Sequence, residues 1–167
     1  MKIYLTTDTH FGHPKLIEYG RPENFEKLIH EGLKMLPDDC LLIHLGDVGF
    51  TGSEEIHRKY IEPLKCKKIL VRGNHDHKTD EWYMEHGWDF VCYRFEAKYF
   101  GKKILFSHIP FRDNNHYDLN IHGHFHDSKH HLEEAFILAV INSKQILLAL
   151  EYTHYKPVNL EKFLKLN

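Results

Sequence analysis

The feature that most constrains the fold is an alternation of short apolar runs with amphipathic segments over the first half of the chain. Apolar runs of strand length occupy residues 2–7, 40–45 and 68–72. Between them, residues 23–36 carry apolar side chains at helical spacing, and a second such stripe follows Ser53. This strand–helix–strand–helix–strand order predicts a parallel sheet in an α/β domain.

The second half of the chain has a different pattern. Residues 90–100 and 102–107 are strand-like and flank Gly101, which predicts an antiparallel hairpin. Residues 119–122 predict one more short strand. The apolar residues of 132–152 fit either a helix followed by a strand or two strands, so both alternatives stay open. Short helices are expected at residues 80–86 and around Leu160, Phe163 and Leu164.

Length and charge limit the classes of protein to consider. The chain has 167 residues, of which 42% are apolar, enough for one core, and we predict a single domain over residues 1–167. A net charge of -2 gives no broad cationic surface, so duplex nucleic acid is not expected as a partner. The oligomeric state stays open.

The sequence predicts a cytoplasmic protein with no membrane partner. Asp8 interrupts the N-terminus before the apolar core of a signal peptide is complete, and no run is long and apolar enough to span a bilayer. Three scattered cysteines, Cys40, Cys66 and Cys92, form no Cys-x-x-Cys pair and suit a reducing compartment.

Polar side chains recur directly after five of the strand-like runs. Ligands in open α/β sheets bind beyond the carboxyl ends of strands, so these residues are candidates for a functional site. Sixteen histidines in the chain also call for a metal or an acid–base explanation. The five segments are Asp8-x-His10, Gly46-Asp47, Gly73-Asn74-His75-Asp76, Ser107-His108 and Gly123-His124-x-His126.

These segments offer carboxylates, imidazoles and one amide as donors, with no thiolate. Mixed nitrogen and oxygen donors favour divalent transition-metal ions, Mn first, with Fe, Zn, Ni or Co as alternatives. The number of donors predicts two ions, bridged by Asp47. The remaining donors then divide into one set of Asp8, His10 and His126 and a second set of Asn74, His108 and His124.

Two ions roughly 3.5 to 4 Å apart suit in-line displacement at phosphorus, with a metal-bridging hydroxide as the nucleophile. The leaving oxygen then needs a proton. His75 adjoins the ligand Asn74 but is outside the ligand set, so we predict it to be the general acid, with Asp76 orienting its ring. The alternative is a histidine that only supports Asn74.

The order of the five segments resembles the pattern D-x-H, G-D, G-N-H-[DE], H and G-H-x-H of the calcineurin-like metallophosphoesterase superfamily. The sequence of residues 7–13 and the pair Arg21-Pro22 are similar to those of its small bacterial and phage members. The resemblance implies a four-layer α-β-β-α sandwich with two central mixed β-sheets flanked by helices. It also implies the ligand roles given above, with His75 as the catalytic histidine and Asp76 as its partner.

Two features depart from the resemblance. Glu23 and Asn24 precede Phe25, whereas small members often carry a phenylalanine directly after the Arg-Pro pair. The segment 128–144 has no clear counterpart, and its structure stays open. Neither departure involves a predicted ligand.

Other polar residues have both a functional and a structural interpretation. Arg21 can grip a substrate phosphate through its planar guanidinium or can be a solvated side chain. His13 follows the first ligand loop and either lines the site or lies on the surface. His44 and His122 fall within strand-like runs and are expected to pack, or to hydrogen-bond behind the ligands.

The sequence therefore predicts a metal-dependent phosphoesterase acting on a phosphate ester, with nucleotides among the candidate substrates. A phosphodiester is favoured because a chain this short has little room for a cap domain over the metals. A phosphomonoesterase using the same site and a non-catalytic metal-binding module are the alternatives.

Overall fold

The computed structural model describes residues 1–51, 53–111, 116–127 and 144–166. Residues 128–143 lie outside the described part of the chain. They make up nearly all of the segment 128–144, whose structure the sequence left open, and most of the segment 132–152, for which it left two arrangements open. From residue 144 onward, the chain forms a short strand and then a 3₁₀ turn, Leu150–Thr153.

Five strands form the first sheet: β1 (Ile3–Thr6), β2 (Leu41–His44), β3 (Lys67–Val71), β4 (Phe90–Cys92) and β9 (Val158–Asn159). Their order is β4–β3–β2–β1–β9. The first four are parallel and β9 is antiparallel to β1. The predicted parallel core is therefore confirmed.

Four strands form the second sheet: β5 (Arg94–Tyr99), β6 (Lys102–Ser107), β7 (Leu119–His122) and β8 (Gln145–Leu147). Strands β5 and β6 form the predicted hairpin around Gly101, and β6, β7 and β8 are parallel. The prediction of one long arm over 90–100 was wrong. Its first three residues pair with β3 in the other sheet, where Val91 is buried against the helices.

The helices begin and end close to the predicted positions. They are α1 (Phe25–Lys34), α2 (Ser53–Ile56), α3 (Asp80–Glu85) and α4 (Leu160–Leu166), and α2 continues as a π-helical turn, His57–Ile61. Pro14–Leu16 forms a 3₁₀ turn. Thr79 caps α3, because its hydroxyl accepts a hydrogen bond from the backbone N–H of Trp82 (3.2 Å).

Side chains of the first sheet alternate between two cores, as the two-residue period of a strand requires. Leu42 packs with Phe25 of α1 on the outer face. Its neighbour Ile43 packs with Phe106 and Ile121 of the second sheet. Each fully buried apolar side chain of this size contributes roughly 1.5 to 3 kcal/mol. Two mixed sheets packed face to face with flanking helices confirm the predicted α/β class.

The fold brings the polar segments to one place. The five predicted segments follow β1, β2, β3, β6 and β7, and each set of strands is parallel, so their carboxyl ends lie at the same edge. Separately, no helix within the described part of the chain has the length and apolar character needed to cross a bilayer.

Candidate metal centre and active site

Backbone hydrogen bonds join the loops that leave the strands. Asp8 N donates to the O of Gly46 (2.9 Å), and His10 N donates to the O of Asp47 (3.0 Å). In the second sheet, Gly123 N donates to the O of His108 (3.0 Å). These bonds fix the backbone segments that carry the polar side chains relative to one another.

The first cluster comprises Asp8, His10 and His126, whose ligand atoms all lie within 4.8 Å of one another. Asp8 Oδ1 is 3.7 Å from His10 Nε2 and 3.8 Å from His126 Nε2. The other carboxylate oxygen accepts hydrogen bonds from Thr7 Oγ1 (2.6 Å) and the backbone N–H of His124 (3.0 Å). The protein thus holds one oxygen of Asp8, and the other faces two imidazole nitrogens.

The second cluster comprises Asp47, His108 and His124. His108 Nε2 is 3.4 Å from Asp47 Oδ2 and 3.2 Å from His124 Nδ1. Asn74 Oδ1 also lies 3.0 Å from His108 Nε2. On the far side of the ring, Nδ1 donates to the backbone O of Leu45 (2.7 Å). In the neutral ring, which is the form that binds a metal ion, Nδ1 carries the proton and the lone pair of Nε2 points at the cluster.

One oxygen of Asp47 faces both clusters. Its Oδ2 lies 3.6 Å from His10 Nε2 in the first cluster and 3.4 Å from His108 Nε2 in the second. Its Oδ1 accepts a hydrogen bond from the backbone N–H of His75 (2.8 Å). Asp47 is therefore held by one oxygen and presents the other between the two sets of donors.

The donor set fits a pair of cations. Asp8 Oδ1 is buried and has no hydrogen-bond partner among the described residues, although nearly all buried polar atoms have one. The imidazole nitrogens that face it are too distant for hydrogen bonds, but their spacing suits atoms sharing one ion, with bonds of about 2.0 to 2.2 Å. A cation in each cluster would satisfy these atoms.

Backbone strain is concentrated at the same residues. Within the described part of the chain, eight residues other than glycine have positive φ, and five of them are predicted ligands. Left-handed backbone at such residues costs about 1 kcal/mol or more each and persists where the surroundings require it. The five are Asp8 (φ 48°), His10 (45°), Asp47 (58°), His124 (73°) and His126 (52°).

Two glycines of the predicted segments allow the donors to approach the backbone closely. A Cβ atom at Gly73 would overlap the carboxylate of Asp47. One at Gly123 would overlap Thr7 Oγ1 and Asp8 Oδ2. Glycine at these positions is therefore required by the packing of the two carboxylates.

Asp76 does not orient the ring of His75, contrary to the sequence-based hypothesis. Its Oδ2 accepts backbone hydrogen bonds from Asp47 and Gly73 (both 2.8 Å), and its Oδ1 accepts one from Val48 (3.1 Å). Burial raises the pKa of Asp76 despite these bonds. The carboxylate thus fixes the backbone on either side of the bridging Asp47.

The His75 ring lines the site and contacts it through neighbouring rings. Its centroid lies 5.4 Å from that of His10 and 5.5 Å from that of Phe50. A cavity of about 360 Å³ lies over both clusters, and His75 lines it together with His13, Asn74 and predicted ligands. Nothing among the described residues hydrogen-bonds its ring nitrogens.

The two predicted substrate-binding residues differ in their surroundings. Arg21 lines the cavity but is only 5% exposed, and its guanidinium donates to Glu151 Oε1 (2.8 Å) and to the backbone O of Asp8 (2.9 Å). His13 lines the cavity and stacks on Phe50, with ring centroids 3.9 Å apart. His13 therefore has a ring at the cavity wall, while Arg21 is engaged within the protein.

His44 and His122 lie behind the ligands, as expected. His44 Nδ1 accepts from the backbone N–H of Gly46 (3.1 Å), so Nε2 donates to Thr9 Oγ1 (3.0 Å). The Thr9 hydroxyl then donates to the O of Val48 (2.7 Å). Burial lowers the pKa of His44 to about 3 and that of His122 to about 4, so both rings are neutral.

The electrostatics of the site favour cations. Burial opposes charging of His108, yet its hydrogen bond to Asp47 and the charges of Asp8 and Asp47 raise its pKa to about 9. Burial would also raise the pKa of Asp8, but the neighbouring imidazoles of His10, His126 and His108 keep it well below its usual range. The site therefore holds ionised carboxylates in a buried setting.

Sequence reasoning missed the carboxylate of Glu151. Glu151 lies in the 3₁₀ turn after β8 and lines the cavity beside His126. Burial raises the pKa of this carboxyl, but the hydrogen bond with His126 and the charge of Arg21 lower it to about 2. No motif covers Glu151, and the position gives no sequence signal of its own.

Comparison with known proteins agrees with this geometry. The family model described as Calcineurin-like phosphoesterase matches residues 1–164. The chain belongs to the calcineurin-like phosphoesterase family. This phosphoesterase is 32% identical over 179 aligned positions to an uncharacterized protein of Methanocaldococcus jannaschii, covering 99% of this chain and 90% of that one.

A solved structure shares the whole fold of this phosphoesterase. The crystal structure of a protein of unknown function from Aquifex aeolicus superposes with a TM-score of 0.79 at 28% identity, covering 99% of both chains. The predicted superfamily and the predicted enzyme class, a metal-dependent phosphoesterase, are confirmed by the family match. Two ligand clusters suited to a dimetal centre accompany them.

Proposed function

We propose that this phosphoesterase is a dimetal phosphodiesterase that uses Mn²⁺ and takes His75 as its general acid. The observation that carries the proposal is the position of Asp47 Oδ2, 3.6 Å from His10 Nε2 and 3.4 Å from His108 Nε2. An oxygen between two complete donor sets is what a bridged pair of cations requires.

The proposal divides the donors into the two sets predicted from the sequence. Asp8, His10 and His126 would hold one ion and Asn74, His108 and His124 the other, with Asp47 shared. When bound, two divalent ions neutralise charge on the phosphoryl oxygens and lower the pKa of coordinated water. Imidazole nitrogens mixed with carboxylate and amide oxygens, without a thiolate, favour a divalent transition-metal ion, and among these ions we propose Mn²⁺.

His75 is proposed to hold the proton that the leaving oxygen receives. Its backbone N–H is fixed by Asp47, and its ring lines the cavity next to the His10 ring. A side chain placed by its backbone, with ring nitrogens available to the cavity, can donate a proton to a departing alkoxide. Asp76 supports this indirectly, because it holds the backbone of Asp47 and Gly73.

Charge favours a diester over a monoester. Among the described residues that line the cavity, Arg21 is the one permanent cation, and Glu151 already pairs with it. The carboxylates of Asp127 and Glu151 also line this cavity. A phosphodiester carries one negative charge and a phosphomonoester at neutral pH carries close to two. The two ions would attract both esters, whereas the lining carboxylates repel the monoester more, so the protein groups around the ions favour the diester.

One wall of the cavity suits an ester arm with an aromatic ring. His13 and Leu16 line it, and His13 stacks on the neighbouring Phe50. Aromatic and aliphatic side chains beside a phosphate site favour stacking and apolar contact with a base or aryl group. We therefore propose a nucleotide-type diester as the substrate class.

The class of ester is tested by comparing a bis-aryl phosphate with the corresponding mono-aryl phosphate in the presence of Mn²⁺. We expect kcat/KM to be higher for the diester by at least about tenfold, a difference of roughly 1.4 kcal/mol in transition-state stabilisation. A higher kcat/KM for the monoester would contradict the diester assignment.

The role of His75 is tested with His75→Ala on two diesters that differ in leaving group. With an alkoxide leaving group, we expect kcat to fall about 10²- to 10⁴-fold, because the proton donor is lost. With a nitrophenolate, which is stable as an anion, the loss should be much smaller. Mn²⁺ content should stay at the wild-type value.

The matched control is His77→Ala, a neighbouring and exposed histidine. It should leave both rates within about threefold of wild type. An equal loss on both leaving groups in His75→Ala, or loss of the metals, would contradict the general-acid assignment.

A further inference from the structure

Behind His126 lies a pair of charged side chains that the family pattern of motifs does not include. Arg21 Nε donates to Glu151 Oε1 (2.8 Å), and both side chains are at least nine-tenths buried. Glu151 Oε1 also lies 3.4 Å from His126 Nδ1. Glu151 is 130 positions from Arg21 and 25 from His126 along the chain, so only the fold brings them together.

The tautomer of His126 decides whether its ring can hold a cation. Its Nε2 faces Asp8 Oδ1 at 3.8 Å, whereas its Nδ1 faces Glu151 Oε1 and, at 3.0 Å, Arg21 Nη2. If Nδ1 carries the proton, it donates to Glu151 and leaves the Nε2 lone pair for an ion. If Nδ1 carries the lone pair, it accepts from Arg21, and Nε2–H then excludes an ion.

Glu151 and Arg21 therefore act on His126 in opposite directions. The guanidinium has only donors and favours the tautomer that cannot bind metal. The ionised carboxylate has only acceptors and favours the tautomer that can. Nη2 of Arg21 has two N–H groups: one donates to the backbone O of Asp8 (2.9 Å) and the other faces His126, while Nε donates to Glu151. An ion at Nε2 of His126 requires the proton on Nδ1, and Glu151 is an acceptor beside Nδ1 for that proton's hydrogen bond.

A second observation links Glu151 to the metal centre and distinguishes it from an ordinary surface ion pair. Its Oε2 is buried and has no hydrogen-bond partner among the described residues. Burial of a carboxylate with one unpaired oxygen costs free energy unless enough positive charge lies nearby to compensate it. Positive charge in the first cluster would compensate it.

We infer that Glu151, held by Arg21, is a positioning residue that sets the metal-binding tautomer of His126. The inference rests on the proposed dimetal site, since it concerns the ion held by Asp8, His10 and His126. Glu151 stabilises Nδ1–H, and Arg21 keeps the carboxylate aligned through its planar guanidinium. The described contacts of this pair reach the first cluster alone, so the effect is confined to one ion.

The test is a titration of metal-stripped protein with Mn²⁺ alone, followed by calorimetry and by the electron paramagnetic resonance signal of a coupled Mn²⁺ pair. Wild type should bind two ions per chain. In Glu151→Gln, one ion should bind about 10- to 100-fold more weakly, as for other carboxylates behind a ligating histidine, while the other stays within about threefold. The coupled signal should be lost at Mn²⁺ concentrations that fill only the tighter site.

Asp127→Asn is the matched control, because it removes one negative charge from the same cavity at an exposed carboxylate. Its two affinities should stay within about threefold of wild type. If Glu151→Gln unfolds, Arg21→Lys keeps the positive charge but loses the planar alignment, and it should weaken the same single ion by a smaller factor.

The outcomes separate the inference from the proposed function. A wild-type chain that binds no pair of ions would overturn both. A wild-type chain that binds two ions, with a folded Glu151→Gln variant that binds both at wild-type affinity or loses both equally, would overturn the inference alone. Equal weakening by Asp127→Asn would show a general charge effect and would also overturn it.

Discussion

The two halves of the candidate metal centre are held in place by different means. In the second cluster, backbone groups fix the donors: the Leu45 carbonyl orients His108, and the His75 amide holds Asp47. In the first cluster, side chains position one of the donors, because the Nδ1 of His126 faces Glu151 and Arg21.

This difference has a consequence for how each half responds to mutation. A donor fixed by backbone depends on the local fold of the strand ends, and few single side chains can disturb it. A donor fixed by side chains depends on residues distant in sequence, each of which can be changed separately. We therefore expect outer substitutions to affect the ion of the first cluster more selectively.

The largest effect is expected where the two halves meet. Asp47→Asn keeps the shape of the side chain and tolerates the positive φ at this position, but removes the shared negative charge. We expect both ions to bind much more weakly and kcat/KM to fall by on the order of a thousandfold or more, a loss of several kcal/mol. Metal analysis after gel filtration, together with steady-state kinetics, measures this.

A variant of Asp47 that retains one ion at normal affinity would show that the halves are independent, and the bridge would be wrong. Asp127→Asn is the appropriate comparison for charge, since that carboxylate lines the cavity outside the clusters.

The next largest effect is expected at Asp76, which fixes the backbone around the bridge. Asp76→Asn replaces an acceptor of three backbone N–H bonds with a group that offers only one oxygen. Leaving buried donors unsatisfied should lower the free energy of unfolding by about 2 to 4 kcal/mol and weaken metal binding. Urea unfolding of metal-stripped protein gives the first quantity and Mn²⁺ titration the second.

The control for Asp76 is Asp80→Asn, whose carboxylate pairs with Arg72 near the surface. Its loss should stay below about 1 kcal/mol. Similar losses at positions 76 and 80 would mean that the backbone bonds of Asp76 do not support the site.

A smaller effect is expected at Thr9, which links the first ligand loop to the end of β2. Thr9→Val removes the hydroxyl between His44 Nε2 and the Val48 carbonyl. The buried His44 N–H then loses its acceptor, and we expect a loss of about 1 to 2 kcal/mol in urea unfolding. Thr51→Val, at an exposed hydroxyl, should change stability by less than about 0.5 kcal/mol.

If the two threonine variants lose equal stability, the His44–Thr9 link is not a significant support for the first loop. A separate Mn²⁺ titration of Thr9→Val measures which of the two ions binds more weakly when the first loop is disturbed. We expect the ion of the first cluster to be the one affected.

The smallest effect at neutral pH is expected at His57, and it separates acid unfolding from acid release of the ions. Burial lowers the pKa of His57 to about 4, although its Nδ1 donates to the backbone O of Ser53 (2.7 Å). Because the folded pKa lies below the ordinary value near 6.5, His57 favours folding above about pH 6.5. That contribution is lost as pH falls from about 6.5 to about 4.

His57→Gln should therefore flatten the fall in stability over this pH range by on the order of 1 to 3 kcal/mol, with no change in Mn²⁺ affinity at pH 7. Urea unfolding at several pH values measures it, with the exposed His77→Gln as control. An unchanged pH profile would show that His57 is not a buried neutral histidine.

Much of the centre is predictable from the sequence because its donors directly follow strands. An apolar run that ends at a glycine and a polar residue marks a strand end, and parallel strands bring such ends to one edge. This pattern is sufficient to predict that Asp8, Asp47, Asn74, His108 and His124 lie together. The helical period likewise locates α1, because its buried face repeats at regular spacing.

What the sequence did not reveal depends on contacts between distant residues. Glu151 is an isolated carboxylate in a short turn, and its meeting with Arg21 follows from the arrangement of the sheets. The carboxylate of Asp76 accepts backbone N–H bonds whose positions no motif specifies. The break at Tyr93, where the chain passes from one sheet to the other, interrupts a continuous strand-like pattern.

The most direct measurement is an anomalous difference map from crystals grown with Mn²⁺. Two peaks per chain, roughly 3.5 to 4 Å apart, should lie on either side of Asp47 Oδ2, one beside His10 and His126 and the other beside His108 and His124. A single peak, or peaks that do not share Asp47, would contradict the account of a bridged pair of cations at the strand ends.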